Sequence, residues 1–403
     1  MEVLPYHNLY VGIIETLEAI FEKGDYSDKA LERTFKKNRL WGSRDRGFVA
    51  EMVYDMVRWK RTIDYASANA LRKKHYWDFI AAWIIINDGR LPDFEEFKKV
   101  KASKIKGNYL QAVKIPAINH SVADELHEIG ERELGNQWVV ELEAMNQMAP
   151  AILRVNTLRT NEKELKAEFL DQDIKITKLK RFPDAYVLDE KENLFLTDEF
   201  KKGWFEMQDA NSQHVAPFVE VEPGMRVADA CAGAGGKSLH LAALMENKGN
   251  IISMDIHQWK LNELKKRAKR AGAHNIQTKL IDSTKVLKRY QKSFDRVLID
   301  APCTGSGVLR RNPDAKYKID QAILDRVFTE QKEILASYSK LLKPGGLLVY
   351  VTCSIFPSEN TQQVKQFLES HSEFNLVEEK HLSPAETGFD GFYMAKLQRA
   401  NKN

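Results

Sequence analysis

The sequence predicts an α/β protein with a parallel sheet in its C-terminal half. Strand-like and helix-like segments alternate between residues 221 and 400, and short polar strings follow the strand-like segments. The chain has 403 residues, of which 43% are hydrophobic, so it can form a sizeable core. At about 150 residues per domain, this length indicates two or three domains. We place the domains at residues 1–140, 141–215 and 216–403.

Composition excludes several other classes of protein. With 29% charged residues and ordinary hydrophobic content, the chain is not collagen-like, mucin-like or wholly disordered. The net charge of +4 is compatible with a nucleic-acid partner but does not require one. Three cysteines exclude a disulfide scaffold, and none has zinc-ligand spacing, so we expect no metal. No signal peptide is visible and the longest apolar stretch, 79–86, cannot span a bilayer, so we expect a cytoplasmic protein without a membrane partner.

Residues 1–140 are typical of a helical domain. In segment 44–66, Phe48, Met52 and Met56 recur at a spacing of four, which predicts one amphipathic helix. Charged residues near its ends are expected to be solvated, with RNA binding as the alternative. Segment 76–90 is a second apolar helix. The basic run 98–106 has no apolar period and is expected to be an exposed loop or linker.

A small α+β domain is expected next. Segment 151–158 alternates like a strand, and Asn161 followed by Glu164 predicts the start of a helix over 162–171. Segments 174–179, 186–189 and 194–196 are predicted to be short strands.

The C-terminal part then alternates regularly. Its predicted strands are 225–230, 250–256, 277–282, 294–301 and 346–352, and its predicted helices are 237–246, 258–271 and 323–342. Segments 374–379 and 391–398 are expected to close the sheet as a strand pair.

Ligands of such a sheet bind beyond the carboxyl ends of its strands. Those ends carry the string 229–237 (DACAGAGGK), then Asp255, Asp282, the string 300–303 (DAPC) and the string 352–354 (TCS). A single aspartate there is usually a turn former. Aspartates at four strand ends indicate a binding site.

The glycine-rich string does not specify a phosphate site. A P-loop requires glycine where this chain has Cys231, which argues against a P-loop NTPase. The dinucleotide-binding fingerprint G-x-G-x-x-G is not matched either, because Ser238 stands where the third glycine is required. Asp255 lies 26 residues beyond Asp229, at the end of the next predicted strand, where a carboxylate can accept hydrogen bonds from two ribose hydroxyls. Asp282, one strand further on, can bind an adenine or its amino group. A ribose-and-adenine ligand without a phosphate clamp indicates S-adenosylmethionine.

Two thiols follow neighbouring predicted strands, Cys303 after 294–301 and Cys353 after 346–352. Adjacent strands lie about 5 Å apart, so both thiols can face one cleft if these strands are adjacent. A thiolate that adds to C6 of cytosine or uracil makes C5 nucleophilic enough to accept a methyl group. Asp300 could hydrogen-bond to N3 and the exocyclic amine of the ring. The residues alone leave open which thiol attacks.

Four strings together carry a family resemblance: 205–213 (FEMQDANSQ), 229–237, 300–314 (DAPCTGSGVLRRNPD) and 352–360 (TCSIFPSEN). They resemble the RNA (cytosine-5)-methyltransferase family, Sun/Fmu branch, over roughly residues 150–400. The resemblance implies a Rossmann-like S-adenosylmethionine-dependent methyltransferase domain preceded by a small α+β domain. It implies Cys353 as nucleophile and Cys303 as the residue that helps to release product. The donor-site positions that it implies are Cys231, Ala232, Gly233, Ala234, Gly235, Gly236, Lys237, Asp255, Asp282 and Asp300.

One motif departs from the family pattern. The family's CAAPGGK is CAGAGGK here, so Gly233 and Ala234 replace alanine and proline. These changes keep the loop small.

The N-terminal part is similar, more weakly, to the NusB-like RNA-binding domain of this branch, which favours 16S rRNA over tRNA as the substrate of a monomeric enzyme. The string 154–159 (RVNTLR) resembles the start of the family's RNA-facing domain. We expect RNA contacts from Arg154, Arg310 and Arg311.

Four alternative functions can be compared with the same residues. A tRNA methyltransferase and a non-catalytic RNA-binding or ribosome-assembly factor remain alternatives, although the second leaves the intact thiols and Asp300 unexplained. A DNA cytosine methyltransferase would leave the thiol of Thr-Cys-Ser unexplained. An amino-group methyltransferase would need an Asn/Asp-Pro-Pro-aromatic string, which is absent.

Overall fold

The computed structural model describes residues 4–190 and 192–401 and divides into two compact units. The helical unit runs to Gln147 and also includes Leu309–Gln321. The other unit, which we call the catalytic unit after the activity expected from its sequence, comprises Met148–Val308 and the chain from Ala322 onward. Both sheets found among the described residues lie in it. The three domain boundaries expected from the sequence therefore stay a prediction. Among the described residues, no helix is long and apolar enough to cross a membrane.

The helical unit packs its helices around an apolar core that includes Met52, Val53, Met56, Phe79 and Ile80. Its helices are α1 (His7–Phe21), α2 (Ser27–Lys37), α3 (Ser43–Arg58), α4 (Lys60–Ala66), α5 (Tyr76–Ile86), α6 (Ala102–Ala112), α7 (Pro116–Asn119), α8 (Asp124–Leu134) and α9 (Gln137–Met145).

Two expectations for this unit are wrong. The single helix predicted over 44–66 is broken at Trp59, whose backbone (φ −107°, ψ 21°) lies outside the helical range. The loop predicted over 98–106 contains the start of α6. Ile105, 8% exposed, and the partly buried Val100 and Tyr109 hold this segment to the core. Within 98–106 only Val100 and Ile105 are large apolar residues, and two positions are too few to show a helical period.

Segment 309–321 follows the Cys303 loop in sequence but folds with the helical unit. Lys316, at 1% exposure, donates from Nζ to the Arg58 carbonyl (2.6 Å), the His120 carbonyl (3.2 Å) and Asn146 Oδ1 (2.8 Å). Arg58 Nη1 donates in turn to the Arg310 carbonyl at 3.0 Å. Three acceptors match the three hydrogens of an ammonium group, so Lys316 joins three separate stretches of the unit.

The smaller sheet of the catalytic unit is antiparallel, in the order β2-β3-β1-β4. Its part of the chain contains β1 (Ile152–Val155), α10 (Glu162–Asp171), β2 (Ile176–Lys178), β3 (Ala185–Leu188), α11 (Asp198–Lys201), β4 (Phe205–Met207), α12 (Ala210–Gln213) and α13 (Val215–Phe218). The predicted cap is confirmed, since Asn161 Oδ1 accepts from the Glu164 amide at 3.0 Å. The strand predicted at 194–196 is wrong. These residues form a 3-10 turn because the Asn193 side chain accepts from the Phe195 amide.

The larger sheet has seven strands in the order β10-β11-β9-β8-β5-β6-β7. Its elements are β5 (Arg226–Asp229), α14 (Gly236–Leu244), β6 (Asn250–Asp255), α15 (Gln258–Ala271), β7 (Ile276–Leu280), α16 (Thr284–Arg289), β8 (Phe294–Asp300), α17 (Gln321–Tyr338), β9 (Leu342–Thr352), α18 (Thr361–Ser370), β10 (Phe374–Leu382), α19 (Pro384–Thr387) and β11 (Phe392–Arg399).

This sheet confirms the predicted α/β class. Strands β5 to β9 are parallel, and β10 and β11 add the expected antiparallel pair. Successive residues of one strand enter opposite apolar layers, as Leu298 and Ile299 of β8 do. Both faces of the sheet are thus covered, and its carboxyl edge carries the polar strings.

Candidate active site at the strand ends

The structure brings the two thiols together. Cys303 follows β8 and Cys353 follows β9, and these strands are hydrogen-bonded neighbours in which Asp300 pairs with Val351. The two Sγ atoms lie 3.2 Å apart and both cysteines are free. This arrangement satisfies the condition set by the sequence, that strands 294–301 and 346–352 be adjacent.

The environment of the pair distinguishes its members. The hydrogen bond with Cys353, and then burial, raises the pKa of the Cys303 thiol well above its usual value. Either sulfur can donate the hydrogen bond of the pair, and the raised pKa favours Cys303 as the donor.

Glu359 is a residue of this site that sequence reasoning missed. It is fully buried, and its carboxylate accepts from the Thr304 amide (2.8 Å), the Thr304 hydroxyl (2.6 Å), the Ser354 hydroxyl (2.5 Å) and Gln331 Nε2 (3.1 Å). Burial raises its pKa. Because Thr304 and Ser354 each follow one cysteine, Glu359 ties the two cysteine loops together. The available signal was an acid within the otherwise uncharged string 352–360.

Lys237 and Asp300 form an ion pair at the same edge of the sheet. Lys237 Nζ lies 2.6 Å from Asp300 Oδ2, and the lysine side chain is 13% exposed. Burial alone would lower the pKa of Lys237, but the Asp300 carboxylate outweighs it and the pKa lies above its usual value. Cys353 contributes in the same direction, so this lysine is within electrostatic range of both groups.

The glycine-rich loop is tied to Asp255. The amides of Gly233 and His257 donate to its two carboxylate oxygens, at 3.0 and 2.8 Å. Gly233 has a φ of +54°, and no atom lies within 4 Å of where a Cβ would be, so the loop is open on that side. Gly235 has a φ of +88°, and a Cβ there would lie 2.5 Å from Leu264. The loop thus combines an open backbone surface with a carboxylate that keeps free lone pairs.

Asp229 lies beneath this loop and is fully buried. Ser238 Oγ donates to its Oδ2 at 2.6 Å, and Oδ1 has no hydrogen-bond partner among the described residues. Burial raises the pKa of Asp229 to about 7. A ligand with a polar group at the loop would supply the missing partner.

The other donor-site positions differ in burial. Burial raises the pKa of the Cys231 thiol well above its usual value, so this thiol is not a nucleophile. Ala232 and Gly235 are buried, and Gly236 begins α14. The Ala234 carbonyl accepts from Arg267 Nη1 at 2.9 Å. Asp282 is exposed beyond the edge strand β7, where Ser283 Oγ donates to it at 3.0 Å.

The expected RNA contacts of Arg154 and Arg310 are wrong, because both side chains are buried. Arg154 is 1% exposed and donates from Nε to Gln208 Oε1 at 2.7 Å, and burial lowers its pKa to about 10. Arg310 is 3% exposed and donates from Nη2 to the Ala144 carbonyl at 2.8 Å. Arg311 is partly exposed, and its RNA contact stays a prediction. Within the described part of the chain, no group of three or more potential ligands could hold a metal ion.

Comparison with known proteins links these features to two family models. Residues 216–398 match a model described as 16S rRNA methyltransferase RsmB/F. Residues 126–194 match the RsmF/B-like methyltransferase, ferredoxin-like domain.

Named relatives span the whole chain. It is 29% identical to the probable ribosomal RNA small subunit methyltransferase B of Synechocystis sp., over 95% of this chain and 98% of that protein. The protein of the same description from Bacillus subtilis is 28% identical over 96% of this chain and 97% of its own length. The crystal structure of PH0851 shares the fold, with a TM-score of 0.83 and 24% identity over 99% of this chain and 100% of that one.

Proposed function

The chain belongs to the RsmB/F family of S-adenosylmethionine-dependent rRNA methyltransferases, and from that premise we propose that it methylates C5 of a cytosine in 16S rRNA through a covalent bond between Cys353 and C6. The observation that carries this proposal is the pair of sulfur atoms 3.2 Å apart at the ends of adjacent parallel strands. Addition at C6 needs one activated thiolate, and subsequent loss of the C5 proton needs a second group beside it.

The residues of the loop fit the methyl donor. Asp255 has lone pairs for two ribose hydroxyls while its oxygens are held by the amides of Gly233 and His257. The open face of Gly233 allows close approach, and the unpartnered Oδ1 of Asp229 lies beneath the loop. Asp282, exposed after the next strand, is the proposed contact of the adenine. When bound there, S-adenosylmethionine supplies a methyl group on a positively charged sulfur.

In the proposed mechanism, Cys353 attacks as a thiolate that the Cys303 thiol and the Lys237 ammonium stabilise. Its electron pair forms the bond to C6, and the C5–C6 electrons become available at C5, which takes the methyl group. Asp300, held by Lys237 at 2.6 Å, accepts a hydrogen bond from the exocyclic amine of the ring and so orients it above the thiol.

Product release reverses the roles of the thiols. Once Cys353 is bonded to C6 it carries no charge, so the largest cause of the raised pKa of Cys303 is gone. Cys303 can then give its own proton to solvent and accept the one from C5. The electrons of the C5–H bond restore the C5–C6 double bond, and Cys353 leaves as a thiolate. Glu359 keeps both loops in place through Thr304 and Ser354.

The test is mapping of 5-methylcytosine in RNA from cells with and without the gene. Bisulfite sequencing should show one or more positions in 16S rRNA that lose the modification in the deletion strain and regain it with the wild-type gene. Loss of the modification from tRNA instead would replace the substrate, and unchanged 5-methylcytosine in all RNA would contradict the proposal.

A further inference from the structure

The catalytic unit has a strongly basic depression that the mechanism does not use. Its volume is about 670 Å³, and no acidic residue is among those that line it. We call it the basic cleft, and it is lined by Arg159, Lys201, Lys202, Trp204, Lys266, Lys269 and Arg270.

The two walls of the basic cleft are joined through their backbones. One wall consists of the end of α11 and the residues after it (201–204), and the other consists of the end of α15 (266–270). Asn156 Nδ2 donates to the Gly203 carbonyl (2.7 Å) and to the Ala271 carbonyl (2.8 Å). Gly203 has a φ of +76°, and a Cβ there would lie 2.1 Å from the Arg270 carbonyl oxygen. This close approach requires glycine, so the position of the cations is built into the fold.

The cleft keeps a surplus of positive charge after its ion pairs are counted. Arg270 pairs with Glu206 at 2.5 Å and lies 3.9 Å from the Phe200 ring centroid, so its role is largely structural. The pairs of Lys201 with Asp198 and of Lys266 with Glu263 are exposed, and such pairs are weak. Arg159, Lys202 and Lys269 have no carboxylate partner within ion-pair distance among the described residues.

A chain of contacts joins the basic cleft to the glycine-rich loop. Glu206, 3% exposed, accepts from Arg270 of the cleft and, at 2.9 Å, from Arg267. Arg267 in turn donates to the Ala234 carbonyl of the loop. The basic cleft and the glycine-rich loop are therefore linked through the side chains of Arg270, Glu206 and Arg267.

Resting on the proposed function, we propose that the basic cleft binds the phosphate backbone of a single-stranded stretch of the rRNA substrate. Lysines and arginines that neutralise phosphates release counterions, which is the main source of affinity for such strands. Trp204 is partly exposed, and its ring centroid lies 5.6 Å from Lys202 Nζ. This ring offers a surface on which a base of the RNA stacks. The cleft replaces Arg154 and Arg310 as the site of RNA contact.

The experiment measures binding of a labelled single-stranded 16S rRNA fragment to the full chain over a series of salt concentrations. The variant Lys201→Gln/Lys202→Gln/Lys269→Gln removes three phosphate contacts. At about 0.7 per contact, the slope of log affinity against log salt should fall by about 2, and affinity at 0.1 M salt by about a hundredfold. The control Lys332→Gln/Lys340→Gln/Lys365→Gln changes net charge equally at exposed positions outside the cleft and should keep the wild-type slope.

The outcomes separate this inference from the proposed function. Unchanged affinity for the donor analogue sinefungin shows that the cleft variant is folded. If the wild type methylates RNA but the cleft variant keeps the wild-type slope, the inference is overturned and the proposed function stands. If the wild type neither binds nor methylates the RNA, the proposed function fails. If the variant loses binding to phosphatidylserine vesicles and retains RNA binding, the cleft is a membrane-binding surface and the inference is wrong.

Discussion

The catalytic unit and the helical unit each bury a lysine, but they satisfy it differently. Lys237 in the catalytic unit faces the Asp300 carboxylate, and its pKa is raised. Lys316 in the helical unit has only uncharged oxygen acceptors, and burial, with a smaller effect of Arg58, lowers its pKa well below the usual value. The Asp300 carboxylate keeps Lys237 charged, as the proposed chemistry requires. Lys316 instead has a structural role, since it joins three segments of the helical unit by hydrogen bonds.

In the catalytic unit, changes to the two thiols should stop the reaction at different steps without changing the fold. Cys353→Ala should eliminate methylation and form no adduct. Cys303→Ala should still allow attack and methyl transfer, but elimination should stall and leave protein covalently joined to RNA. A denaturing gel with substrate RNA and S-adenosylmethionine should show a slow, RNase-sensitive band for Cys303→Ala alone. The reverse pattern would exchange the two roles, and no adduct with normal turnover in both variants would exclude the thiol mechanism.

Asp229 should make the stability of the catalytic unit depend on pH. Its pKa rises from 3.8 to about 7 on folding, so between these values the folded state keeps a proton that the unfolded state has lost. The free energy of unfolding should therefore fall as pH rises from about 4 to 7, by up to about 4 kcal/mol. Urea titrations of Asp229→Asn should lack this decline. The exposed control Asp171→Asn should retain it, and a decline that persists in Asp229→Asn would assign it to other groups.

Lys316→Met should mainly destabilise the helical unit. The substitution leaves the carbonyl oxygens of Arg58 and His120 and the Asn146 amide oxygen without their donor, which should cost about 3 kcal/mol. The same substitution at exposed Lys114 should change the free energy of unfolding by less than about 0.5 kcal/mol. Equal urea midpoints for Lys316→Met and the wild type would contradict the structural role.

Asp255→Ala should weaken binding of the donor more than binding of RNA. Loss of its hydrogen bonds to the ribose should cost about 2 kcal/mol, roughly a thirtyfold loss of affinity. Calorimetry with sinefungin measures this directly, and RNA affinity should remain that of the wild type. An unchanged sinefungin affinity would remove Asp255 from the donor site.

Sequence patterns predicted what depends on local composition. The parallel strands could be predicted because their residues are buried on both faces, which produces apolar runs such as VLI before Asp300. The sequence could not show that the strands before Cys303 and Cys353 are adjacent, because local patterns do not determine the order of strands in a sheet.

The misses depend on partners that are distant in sequence. Arg154 and Arg310 look like solvent-exposed cations until the structure supplies Gln208 and the Ala144 carbonyl. Lys316 bonds to a carbonyl 258 residues away, so no local pattern could place segment 309–321 in the helical unit. Glu359 was missed for the same reason, since its partner Thr304 lies 55 residues before it.

The late position of segment 309–321 has a consequence for synthesis on the ribosome. Most of the helical unit is synthesised before the catalytic unit, yet its last component ends at Gln321, 174 residues after Gln147. At translation rates of about 5–20 residues per second, this interval is roughly 10–35 s. During this interval the carbonyl oxygens of Arg58 and His120 lack their hydrogen-bond donor, Lys316. The nascent helical unit therefore lacks the contacts of Lys316 until residues 148–308 of the catalytic unit have been made.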